Sequence, residues 1–123
     1  MNLEEVIAGV SKHRQRIHDE HMWSDPVSLS DTMTKLAVYN SYLADEIAPA
    51  HRAVTDKSYS IFQECRQQGT SVAESERMSK GESTSDREHY ERLKLVYTAT
   101  ANLITVLQSR LRVIENQRRQ EGA

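Results

Sequence analysis

Two histidines, His18 and His21, stand three residues apart with Asp19 and Glu20 between them. On a helix that spacing sets both imidazoles on one face, where Zn²⁺ would accept them. Two nitrogens do not make a site, and the chain has neither an H-E-x-x-H nor a cysteine pair to complete the shell. The carboxylate pairs Glu4-Glu5 and Asp45-Glu46 are chain neighbours. Adjacent helical residues point roughly 100° apart, so neither pair converges on a substrate. No Ser/His/Asp motif, glycine-rich phosphate loop or dinucleotide fingerprint is present. The sequence therefore predicts a non-enzymatic protein with no metal and no cofactor. The lone Cys65 forms no internal disulfide and reads as a small buried hydrophobe on the apolar side of its helix.

Binding is the remaining chemistry. Trp23, Tyr39 and Tyr42 are large side chains off the main apolar seam, and they are the expected protein-binding residues, meeting a partner in the helix-in-groove manner. Trp23 sits beside Met22, and the pair is costly to expose; both are expected to fold back over the bundle end or to meet a partner. Arginines Arg110, Arg112, Arg118 and Arg119 offer an alternative, contacting nucleic-acid phosphates while tyrosines stack on bases. Arginine near a helix C-terminus is already explained by the helix dipole, and Glu115 and Glu121 dilute the cluster. A net charge of -2 supplies no global positive field. A third option is a structural subunit of a larger assembly.

These residues must be positioned by helices. Tyr90, Leu93, Tyr97, Thr100, Ile104, Leu107, Leu111 and Ile114 recur at alternating steps of three and four, the spacing of a coiled-coil seam. Val96, Leu103, Val106 and Val113 add a second stripe, which makes the face too wide for a two-stranded zipper. The 4 Gly and 2 Pro in 123 residues are too few for the turns of an all-β domain.

The chain opens with a helix over about 3–20, capped by Asn2 and carrying Glu4 and Glu5 in its first turn. Gly9 weakens it by roughly 1 kcal/mol relative to Ala. A connector over 21–29, broken at Asp25-Pro26, leads to a helix over about 30–68 with Ser30 as its cap. Met33, Leu36, Leu43, Ile47, Val54, Ile61 and Cys65 mark its stripe, with Asn40 and Ala50 between. Pro49 predicts a kink near Ile47, where His51 is placed to satisfy a freed carbonyl. Gly69 is a left-handed C-cap, and Ser71 with Glu74 forms a capping box. Helical segments are expected over about 72–80 and 86–118. Gly81 to Ser85 is a polar weak point, either a loop with a new cap at Thr84 or Ser85 or the poorly packed middle of one long helix running on from Val72, and a frayed tail covers 119–123.

The fold expected is all-α, a single helical domain. It is a long antiparallel helical hairpin with a short N-terminal helix, completed as a dimeric bundle because an isolated hairpin buries too little. No apolar run approaches the about 20 residues needed to span a membrane, and the acidic N-terminus has no signal-peptide character. No membrane association and a cytoplasmic location are expected.

The turn Gly69-Thr70-Ser71-Val72-Ala73-Glu74, with Tyr59 before it, Arg87 and Tyr90 after it, and Leu107-Gln108-Ser109-Arg110-Leu111-Arg112 beyond, resembles a loose set of small helical proteins encoded by tailed bacteriophages among early recombination and replication genes. The resemblance covers roughly residues 59–121; the first helix and the Met22-Trp23 segment have no counterpart in it. It implies a phage or prophage origin, with roles as accessory recombination factors or small inhibitors of host proteins.

Overall fold

A computed structural model describes residues 1–122. The described chain is all-helical: α1 (Leu3–Arg16), α2 (Glu20–Ser24), α3 (Pro26–Gln67), α4 (Val72–Glu82) and α5 (Thr84–Gly122). It divides into two compact units, Met1–Leu43 with Val96–Ala123, and Ala44–Leu95.

Helix starts follow side-chain capping. Asn2 Oδ1 accepts from Glu5 N–H at 2.9 Å, and its amide donates back to the Glu5 carboxylate at 3.1 Å. The first helix ends at Arg16, short of residue 20. The N–H groups of His18 and Asp19 turn back to Gln15 and Arg16, and the Asp19 carboxylate caps His21 N–H at 3.0 Å. A new helix thus begins at Glu20, and His18 and His21 do not share one helical face.

The connector expected over 21–29 is likewise helical. Asp25 is extended and accepts from Val27 N–H at 3.2 Å and from the Ser28 hydroxyl at 2.7 Å. That hydroxyl is the foremost reason its carboxyl titrates below the ordinary range. Pro26 occupies the first helical position, where its missing N–H costs nothing. The cap of α3 is therefore Asp25, and Ser30 lies a turn inside the helix.

The chain stays helical across Pro49. Pro49 and Asp45, whose carbonyl loses its donor, are both exposed, so water can satisfy that carbonyl. The His51 ring stands 5.0 Å from the Tyr90 ring, in a tilted contact, in place of the carbonyl role expected for it.

At the far end of α3, Gly69 takes φ 85°. Thr70 N–H bonds Cys65 O at 2.9 Å and Gly69 N–H bonds Arg66 O at 3.1 Å, the two bonds of a Schellman turn. Ser71 Oγ then accepts from Glu74 N–H at 3.2 Å, while the Glu74 carboxylate turns to Arg77.

The weak point expected over 81–85 contracts to one residue. Ser83 is fully buried. Its hydroxyl donates to Ser79 O at 2.7 Å and meets the Ser58 hydroxyl at 3.0 Å and an Arg87 guanidinium nitrogen at 3.2 Å. Thr84, the alternative cap, donates instead to Lys80 O. The tail expected to fray from 119 is helical to Gly122; Ala123 lies outside the described residues.

In the unit Met1–Leu43 with Val96–Ala123, Leu29, Leu36 and Leu43 are fully buried, seven residues apart on α3. From α5 come Thr100, Leu107 and Ile114, also seven apart, with Leu103. Val6 and Val10 of α1 and Met22 of α2 complete the core. In the unit Ala44–Leu95, Ser58 meets Ser83, Lys57 reaches Asp86 at 3.5 Å and His51 meets Tyr90. Rising numbers on α3 thus meet falling numbers on α5. Here α4 turns Ser75 and Ser79 inward and leaves Val72 and Met78, its apolar residues, exposed.

His13 is buried where α1 meets α3, 6.3 Å from the Tyr39 ring, and its Nδ1 has no hydrogen-bond partner. Burial above all holds its pKa below the ordinary 6.5, with the charges of Arg16, Lys35 and Lys12 adding to the effect. The unfolded chain therefore takes up the proton first as pH falls. The stability that the neutral ring contributes is whole above about pH 6.5 and declines as pH falls from there through the lowered folded value. We expect a lower urea midpoint at about pH 5.5 than at about pH 7.5, and a flatter dependence in His13→Leu, which binds no proton there. An equal slope in both proteins would show that His13 does not carry the effect.

Candidate functional site

The five-residue helix α2 exists because Asp19 caps it and because Met22, its one buried side chain, anchors it. That arrangement sets Trp23, half-buried, beside α5. Arg110 fixes it there: its Nε donates to the Trp23 carbonyl at 2.8 Å, and its guanidinium lies 5.2 Å from the Trp23 ring centroid. The first contact satisfies an orphan carbonyl near a helix end. The second adds cation–π attraction.

Trp23 and α5 bound an open groove of about 410 Å³, lined by Trp23, Thr105, Val106, Ser109, Arg110 and Val113. Val106 and Val113 are 44% and 46% exposed there, although the spacing had put them in a stripe expected to meet a second helix. Thr105 spends its hydroxyl proton on Ala101 O at 3.1 Å, so it brings little polarity to the groove. Arg110 is the groove's one charged lining residue, and it is already engaged.

The electrostatics of this wall are unusual for a chain in which 28% of residues are charged. The run Val96–Ser109 contains no Asp, Glu, Lys, Arg or His. A solvated helix face ordinarily carries charge opposite its buried stripe. Here Ala99, Asn102, Val106, Ser109 and Val113 form an outer stripe with steps of three and four, and all are exposed. The groove brings together two valines, a tryptophan, two hydroxyls and one guanidinium, a lining that can exclude water from an apolar surface. Among the described residues, no three His, Cys, Asp or Glu side chains are grouped as a metal would require.

The expected site residues separate. Trp23 lies in the groove. Tyr39 does not: its ring rests on Gly9, with its Cε2 2.8 Å from where a β-carbon would stand, and beside His13. Tyr42 is half-buried on α3 and does not line the groove. Of the four arginines, Arg110 is bound to Trp23, while Arg112, Arg118 and Arg119 are exposed on α5. The seam spacing hid Val106 and Val113, because periodicity marks apolar residues without saying which ones are covered. The uncharged run was the signal that could have found them.

None of the described helices is long and apolar enough to cross a membrane. No protein-family model, curated protein or solved structure matches the chain.

Proposed function

We propose that the protein is a non-enzymatic binding module that takes a helix of a protein partner into the groove between Trp23 and α5. The observation that carries this reading is the pair Val106 and Val113, left about half exposed beside a half-buried tryptophan, in a groove whose one charged lining residue, Arg110, is engaged with that tryptophan. An amphipathic helix laid into an apolar groove buries such side chains at spacings of three and four. Aromatic anchors with a guanidinium at the edge are common at the centres of protein interfaces. The bacteriophage resemblance supplies the setting: an accessory recombination factor, or an inhibitor of a host defence protein. The DNA-binding alternative has one arginine fewer at its disposal, since Arg110 holds Trp23.

A photo-crosslinking residue placed at Val113 tests the reading in bacterial lysate. The expected result is an adduct of defined mass, another protein's or twice that of the chain. The same residue at Val38, 54% exposed on α3 and outside the groove, should give none. Equal, diffuse labelling at both positions would remove the proposal. Labelled DNA should leave anisotropy flat; binding that weakens steeply with salt would favour the nucleic-acid reading.

A further inference from the structure

We propose that α1 is an acid-released strap: protonation of His13 frees α1 from α3, hinged at the turn 17–19, while α3 and α5 stay packed. The groove beside Trp23 plays no part in the release.

Little holds α1 in place. Its buried side chains are Val6, Val10 and His13, and the Tyr39 ring of α3 lies against Gly9 and beside His13. An element with few buried apolar contacts opens at a lower free energy than the whole unit. The link to the rest of the chain is one turn, closed by His18 N–H on Gln15 O at 3.3 Å and Asp19 N–H on Arg16 O at 3.0 Å. Beyond it α2 is fixed separately, by buried Met22 and by the Arg110 Nε bond to the Trp23 carbonyl at 2.8 Å. Swinging α1 about that turn therefore leaves α2 where it is.

His13 is the ionisable member of the three buried side chains, and it is 5% exposed. An imidazolium carries two N–H donors. The Nδ1 of His13 is buried and meets no partner, so in the charged ring its N–H would stay unbonded, at the full cost of desolvation. No counter-charge offsets that cost. Burial is the first thing that disfavours the charged ring, followed by Arg16 of α1, Lys35 of α3 and Lys12 of α1. From α3 the Tyr39 ring also faces it. Among the described residues no carboxylate acts on it, the exposed Asp31 a turn before Lys35 included, and no titratable group of α2 or α5 does.

Once α1 is released, the ring returns to water and takes up the proton at its ordinary pKa. Release thus grows easier as pH falls below about 6.5, by at most about tenfold for each pH unit. What acid uncovers is apolar: Val6, Val10 and the face of Tyr39 that rests on Gly9.

Native-state hydrogen exchange in low urea tests the strap, with rates expressed as protection factors so that the intrinsic pH dependence drops out. Amides 7–16 of α1 should be at least about tenfold less protected than those of Leu36 and Leu107, with a shallower urea dependence, because less surface is exposed in their opening. Between pH 7.5 and pH 5.5 their protection should fall by up to about tenfold. His13→Leu should abolish that fall. Lys35→Glu, which sets a carboxylate near the ring, should shrink it in a chain that keeps the histidine. Equal protection and equal urea dependence in α1 and at Leu36 and Leu107 would show that α1 opens only with the whole unit, and would overturn the strap. A fall that persists undiminished in His13→Leu, or no fall in the wild-type chain, would overturn the role of His13.

Discussion

Leu107→Ala should cost the fold about 2–5 kcal/mol, while Val106→Ala one residue earlier should cost less than about 1 kcal/mol. Leu107 is fully buried and Val106 is 44% exposed, although both belong to apolar stripes of the same helix. Truncating a buried leucine loses its transfer free energy and leaves a cavity that the surroundings fill only in part. Truncating an exposed valine removes little area from cover. Against a total stability of about 5–15 kcal/mol, the first loss would be large. Urea midpoints should be taken in dilute protein, where association adds least to apparent stability. Similar losses at the two positions would mean that α5 is rotated from the orientation described, and the groove with it.

Gly9→Ala should destabilise the protein by about 1–3 kcal/mol, the opposite of what helix propensity predicts. Within α1, replacing glycine by alanine should gain about 1 kcal/mol from lower chain entropy in the unfolded state and better helix formation. The Tyr39 ring forbids that gain: an added β-carbon would lie 2.8 Å from Cε2 and closer still to Cζ and Oη. Two ring carbons and the hydroxyl oxygen of one rigid phenol are involved, so the side chain must swing aside, and with it the contact to His13. The check is a double-mutant cycle. In a Tyr39→Ala background the obstruction is gone, and Gly9→Ala should become stabilising. A stabilising Gly9→Ala in the wild-type background would show that Tyr39 does not need the glycine, and that the ring is free to serve a partner.

Helix content and the buried line of α5 were both legible from residue types. Steps of three and four from Tyr90 to Ile114 place Leu93, Thr100, Leu107 and Ile114 on one side of a helix, and these four are buried. Asn2, Ser71 and Gly69 cap where their side chains, or the lack of one, allow. Such signals are local, because a cap or a period involves residues within a turn or two of each other. The Asp25-Pro26 pair was legible too, as a cap followed by a proline at the first helical position; read as a breaker, it hid α2 and the start of α3.

By itself the sequence determined an all-helical chain, the start of its first helix, the turn that ends α3 and opens α4, and which side of α5 is greasy. It also determined that part of this helix carries no charge. Only the tertiary structure decided what lies on each side. It set Tyr39 on Gly9, turned the serines of α4 inward in place of its apolar residues, bound Arg110 to Trp23 and left Val106 and Val113 uncovered. The physical reason is that periodicity fixes directions around one helix axis, whereas burial depends on the neighbour that arrives. Trp23 and Arg110 are far apart in the chain, and no local preference of either residue records that they meet.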